Sequence, residues 1–197
     1  MVKRKSAGGD IVATEHTRYG QFCPVAMAAE VLGARWTLPV LRELLCGSTH
    51  FNELRRGVPL MSPALLSRRL RELEKSGIIH KEPGSKGATA YRLTRAGEDL
   101  REVVVKIGLW GQRWIEADLS LRNLDASLLM WDMRRRIDPK PLPKERTVVQ
   151  FLYREQEKGR QRYWLVIENG DVDLCQIDPG FEVDLYIATD LGTMTRI

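Results

Sequence analysis

Ser62-Pro63-Ala64-Leu65-Leu66-Ser67-Arg68-Arg69-Leu70-Arg71-Glu72-Leu73-Glu74-Lys75-Ser76-Gly77 carries its own start and stop signals. Ser62 is a candidate N-cap, Pro63 falls at the first helical position, where its missing N–H costs nothing, and Gly77 lies past the last turn. At about 100° per residue, Leu66, Leu70 and Leu73 lie within about 60° of one another, whereas Ala64, Ser67, Arg68 and Arg71 occupy the opposite side. The spacing predicts a helix with one core face and one small, polar, cationic face.

Upstream, Asn52-Glu53-Leu54-Arg55-Arg56 reads as a short helix closed by Gly57 and Pro59. Two more precede it. One opens at Pro24 and ends at Gly33; the other runs from Arg35 to Cys46 with a core stripe of Trp36, Val40, Leu41, Leu44 and Leu45. Pro39 fits the latter only in or just after its first turn. Downstream, residues 78–82 and 89–93 read as strands joined by Pro83-Gly84-Ser85-Lys86-Gly87-Ala88. Helices, a turn into a recognition helix and a hairpin make a winged helix-turn-helix.

A helix of this diameter fits the major groove, and Arg68 and Arg71 can reach guanine edges or phosphates from it. Ser62, Ala64 and Ser67 are small enough for close approach, and Pro63 lies among them. Asn52, Arg55 and Arg56 on the preceding helix and Lys86 in the wing complete the expected DNA-binding set, with the cations holding flanking phosphates.

The charge distribution agrees. The 197-residue chain carries 31 basic and 26 acidic residues; residues 22–94 hold 11 basic against 6 acidic, while residues 142–197 hold 7 against 10. The basic excess therefore sits where a nucleic-acid partner is expected. Nothing approaches an apolar run of about 18 residues, so no membrane span is expected. Lys3-Arg4-Lys5 precedes no apolar stretch, and Cys23, Cys46 and Cys175 form no CxxC pair, which suits a cytoplasmic protein without disulfides or structural zinc. His16, His50 and His80 share no metal or catalytic spacing. Without a P-loop, HExxH, GxSxG or dinucleotide fingerprint, no enzyme and no cofactor is expected.

Cys23-Pro24, Leu32-Gly33-Ala34-Arg35-Trp36-Thr37-Leu38, Phe51-Asn52-Glu53-Leu54-Arg55-Arg56, Ser62-Pro63, residues 70–77 and Tyr91-Arg92-Leu93-Thr94 together resemble the HxlR family of bacterial winged-helix regulators. The likeness covers roughly residues 22–115. It implies a cytoplasmic homodimer acting as a transcriptional regulator on an inverted-repeat operator. Pro39 departs from the aliphatic residue often found in the family, which bears only on local helix geometry.

Thr94 is read as the cap of a long helix from Arg95 to about Leu119. Its apolar positions Leu100, Val103, Val104, Ile107, Trp110, Trp114 and Ile115 recur at heptad-like spacing. One small domain does not easily bury so many, so the stripe is expected to meet the first helix of a second copy across a two-fold axis; the alternative is packing on its own domain. Cys23 precedes a helix N-terminus, a place that favours thiolate chemistry. In several members of the similar family a cysteine here senses oxidants or electrophiles, which makes Cys23 the redox candidate.

The second half reads differently. Residues 125–137 form a helix that leads into Asp138-Pro139-Lys140-Pro141-Leu142-Pro143-Lys144, where alternate prolines favour an extended linker. Four strands follow, at 146–153, 163–167, 172–177 and 183–188, with Glu168-Asn169-Gly170-Asp171 as a hairpin turn and a helix starting near Asp190. This meander resembles the front part of sterol-carrier-protein-like domains, which implies a partner of small, apolar character. That family continues with further helix and strand, so the module is expected to be reduced or cut short. The expected division is a basic tail at 1–21, a winged-helix and dimerisation domain at 22–119, a helix and linker at 120–144, and the small antiparallel module at 145–197, an α+β chain overall. A competing function is an apolar-ligand carrier whose winged helix makes protein–protein contacts.

Overall fold

The computed structural model describes residues 19–84, 87–115 and 124–195. Most of the expected N-terminal tail, Lys86 and the last part of the predicted long helix lie outside the described residues. The chain forms two compact units that divide between Ile115 and Glu116.

In the first unit α1 (Pro24–Leu32) is followed by α2 (Thr37–Leu45), α3 (Phe51–Gly57) and α4 (Pro63–Lys75). Pro39 is the third residue of α2, inside the first turn, where the N–H it lacks has no helical partner to lose. Trp36 caps that helix in the left-handed region at φ 76°, an uncommon place for a bulky residue. The antiparallel hairpin β1 (Ile79–Pro83) and β2 (Thr89–Leu93) pairs Ile79 with Leu93 and Pro83 with Thr89. Its anchor in the core is direct: Ile78 and Ile79 pack with Val40, Leu41 and Leu44 of α2, Leu54 of α3, and Leu66, Leu70 and Leu73 of α4, all buried. Burying each such aliphatic side chain is worth about 1.5–3 kcal/mol.

The predicted long helix is two helices, α5 (Arg95–Asp99) and α6 (Arg101–Trp114), separated at Leu100. The break has a packing cause. Thr94 accepts from the Gly97 N–H at 3.2 Å and donates to the Gly77 carbonyl at 2.7 Å, tying the start of α5 to the turn between α4 and β1. Gly97 also approaches the Ile78 carbonyl so closely that a Cβ there would collide with backbone. The chain then tightens, with the Leu100 N–H bonded to the Gly97 carbonyl three residues back.

In the second unit α7 (Ala126–Arg136) precedes β3 (Thr147–Tyr153), β4 (Arg162–Glu168), β5 (Asp171–Cys175), β6 (Leu185–Thr189) and the short α8 (Leu191–Met194). Asn169 and Gly170, at φ 53° and 82°, form the predicted tight turn between β4 and β5. The sheet order is β5-β4-β3-β6. The expectation of an antiparallel sheet is corrected at one place: β6 runs parallel to β3, with Phe151 opposite Ile187. Residues 176–184, carrying Pro179-Gly180, are long enough to carry the chain from one edge of the sheet to the other instead of folding back as a hairpin.

The helix assigned to the linking segment is also corrected. Ala126, Met130 and Trp131 of α7 are buried with Phe151, Tyr153, Tyr163, Leu165 and Leu174, so α7 closes one face of the sheet and belongs to the second unit. The proline stretch therefore lies within that unit rather than between two domains.

Candidate nucleic-acid interface

The turn between α3 and α4 sets the site. At the start of α3 the Glu53 carboxylate accepts from the N–H groups of Thr49 at 2.8 Å and His50 at 3.0 Å. Gly57 at its end abuts the buried Glu43 side chain, where a Cβ would overlap the carboxylate. Glu43 has further polar contacts with Ser48, at 3.4 Å, and Arg42, at 3.1 Å. This fixes how α3 leaves α2. Ser62 Oγ then accepts from the Leu65 N–H at 3.3 Å, and α4 starts at Pro63 as the sequence indicates.

With Leu66, Leu70 and Leu73 in the core, Pro63, Ala64, Arg68 and Arg71 are exposed beside the exposed Ser62, and Ser67 is half-buried. On α3, Asn52, Arg55 and Arg56 are exposed as well. The structure thus places eight of the ten predicted DNA-facing residues on two consecutive helices, with Ser62 as the N-cap of the second, and Lys86 lies outside the described residues. An apolar inner face and a cationic outer face on one helix is the arrangement that can lie in a groove of the duplex.

Two residues of the interface do not follow from periodicity. Arg69 is buried despite its charge; it pairs with Glu72 and donates to the Arg35 carbonyl oxygen at 3.1 Å. Glu72 also stands 3.2 Å from Arg68. In the wing, Lys81 pairs with Glu74 at the end of α4, 2.6 Å away, and this hydrogen bond holds its ammonium above the usual lysine range. Glu82 accepts from His80 at 2.8 Å, and the bond holds its carboxyl below the usual range.

The predicted dimer residues divide. Leu100 and Val104 pack against the first unit's own core, whereas Val103, Ile107, Trp110 and Trp114 stand exposed. Cys23 is the half-buried N-cap of α1 and is not in a disulfide. Among the described residues, no helix is long and apolar enough to cross a membrane.

Residues 31–119 match the HxlR-like helix-turn-helix family. The chain is 33% identical over 94 residues to YdeP of Bacillus subtilis, described as an uncharacterised helix-turn-helix transcriptional regulator, across 47% of this chain and 73% of YdeP. It is 32% identical over 99 residues to a second such regulator of that organism, YvaP, across 49% of this chain and 92% of YvaP. Among solved structures it is similar to the reduced form of the transcriptional regulator YodB from Bacillus subtilis, with 28% identity, a TM-score of 0.42, and coverage of 49% of this chain and 98% of YodB. All three relatives are described as transcriptional regulators. The chain belongs to the HxlR-like helix-turn-helix family of DNA-binding transcriptional regulators.

Proposed function

We propose that this protein regulates transcription in the cytoplasm as a homodimer on an inverted-repeat operator. In this reading Arg68 and Arg71 meet base edges, Ser62, Pro63, Ala64 and Ser67 allow close approach, and Asn52, Arg55, Arg56 and Lys86 hold the flanking backbone. The observation that carries it is α4 itself, whose Leu66, Leu70 and Leu73 are drawn inward while Ala64, Arg68 and Arg71 are exposed beyond a defined N-cap. Selection of duplexes from a randomised pool tests it. The expected result is a palindrome with half-site centres about one helical turn, roughly 34 Å, apart; recovery of no preferred sequence would favour the ligand-carrier reading instead.

The dimer rests on α6. Apart from the half-buried Val104 and Gly111 this 14-residue helix is exposed, and Val103, Ile107, Trp110 and Trp114 share one face with exposures of 42, 43, 60 and 68%. A contiguous apolar face of this kind calls for a partner, and a second copy supplies the two-fold symmetry that a palindrome needs. Ile107→Asp with Trp110→Asp is expected to give a monomer by light scattering and to lose operator affinity at least tenfold. A variant that stays dimeric would contradict this assignment.

The second unit takes the signal-receiving role in this reading. Its likeness to sterol-carrier-like domains and its exposed Ile177, Phe181, Leu185 and Tyr186 support a small apolar ligand. Cys23 is the candidate thiol switch because it stands where α1 begins. Cys23→Ser is expected to keep operator affinity and lose its response to oxidant, and an unchanged response would remove Cys23 from the mechanism.

A further inference from the structure

We infer that Glu72, clamped by the buried Arg69, is a positioning residue that presents Arg68 for base reading. The inference rests on the reading of α4 as the recognition helix. One Glu72 oxygen, Oε2, is taken by Arg69 Nη1. Arg69 is held from its other end, since Nη2 donates to the Arg35 carbonyl oxygen at 3.1 Å, and its side chain is only 8% exposed. That carbonyl immediately precedes Trp36, whose left-handed backbone fixes the α1–α2 turn. The second Glu72 oxygen, Oε1, stands 3.2 Å from Nε of Arg68, whose side chain is 64% exposed.

The geometry decides which face of the Arg68 guanidinium remains available. Five N–H groups radiate from a planar fork, and the Glu72 carboxylate stands beside the Nε side as an ion pair. The terminal pair, Nη1 and Nη2, stays free and is the end that can bond guanine O6 and N7 together. A long side chain held in one orientation before binding also loses less freedom when it docks.

Helix stability does not account for the same residues. Glu72 lies in the last turns of α4, where the helix dipole disfavours an acid, and it follows its arginine at i+4, the weaker orientation of such a pair. Burying the Arg69 charge carries a desolvation cost that an apolar residue of similar size would avoid. A carboxylate this near the phosphates also weakens general affinity for DNA. What these costs secure is a fixed Arg68.

The test compares the full-length protein with Glu72→Gln, Arg69→Lys and Arg68→Ala, and with each of the first two combined with Arg68→Ala. The readout is the ratio of affinities for a duplex selected by the wild-type protein and a scrambled duplex of equal length. Glu72→Gln is expected to bind the scrambled duplex as tightly as wild type or more tightly, while the ratio falls about tenfold, within the range for one bidentate base contact. Arg69→Lys, which keeps the charge but cannot span Glu72 and the Arg35 carbonyl, should lower the ratio in the same direction. Neither change should lower it further once Arg68 is alanine.

An unchanged ratio in Glu72→Gln, or equal falls with and without Arg68, overturns the inference while leaving the DNA-binding reading intact. Loss of all preference by the wild-type protein overturns both. Equal thermal melting of Glu72→Gln and wild type separates positioning from folding; a variant that melts earlier yet keeps its ratio also overturns the inference.

Discussion

Gly97 and Tyr153 show how single residues set the two units. Gly97 admits the Ile78 carbonyl where any Cβ would strike backbone, which cannot swing aside as a side chain can. Gly97→Ala is therefore expected to destabilise the first unit by roughly 1–3 kcal/mol, as overpacking does, although alanine is the better helix former; urea melts that show a gain would contradict it. Tyr153 is fully buried and donates to Met130 Sδ at 3.1 Å, and burial pushes its hydroxyl well above the usual tyrosine range. Burial raises Tyr163 in the same direction. A raised folded-state value means that the unfolded chain loses its proton first. Stability is then complete below the unfolded value of about 10 and falls as pH rises beyond it. Tyr153→Phe should show a smaller loss of second-unit stability between pH 9 and 11 than wild type, and equal losses would sink the argument.

At the scale of elements, legibility followed periodicity and punctuation. The α4 helix was readable because Ser62, Pro63 and Gly77 mark its ends and its leucines keep one phase. The Asn169-Gly170 turn was readable because its backbone demands those residues. The break at Leu100 was not, because no proline marks it and the contact of Gly97 with Ile78, 19 residues back, is not visible in the local sequence. The parallel partnership of β6 was hidden for a related reason: alternation reports which face a strand buries, not which edge it joins. In the interface, exposure of Arg68 and Arg71 followed from phase, but Arg69 and Glu72 looked like two more charges on a cationic helix. Leu70→Ala tests the inward face directly. Its side chain is 1% exposed, so a loss of about 2–5 kcal/mol is expected, and a loss below about 1 kcal/mol would mean that the face is not closed.

At the scale of the whole molecule, a net charge of +5 is the sum of unlike parts, with the basic excess carried by the winged-helix half and the acidic excess by the end of the chain. That asymmetry leads to one claim, that exposed cations on α3 and α4 hold the phosphates and bases of a duplex. Salt dependence measures this most directly. Each phosphate neutralised contributes about 0.9 to the slope of log affinity against log salt. Arg55→Ala with Arg56→Ala removes two such cations per protomer, and the slope for a dimer on its selected duplex is predicted to fall by about 3 to 4, while Arg68→Ala with Arg71→Ala lowers sequence preference. A slope unchanged by removing Arg55 and Arg56, with preference unchanged by removing Arg68 and Arg71, would contradict the account.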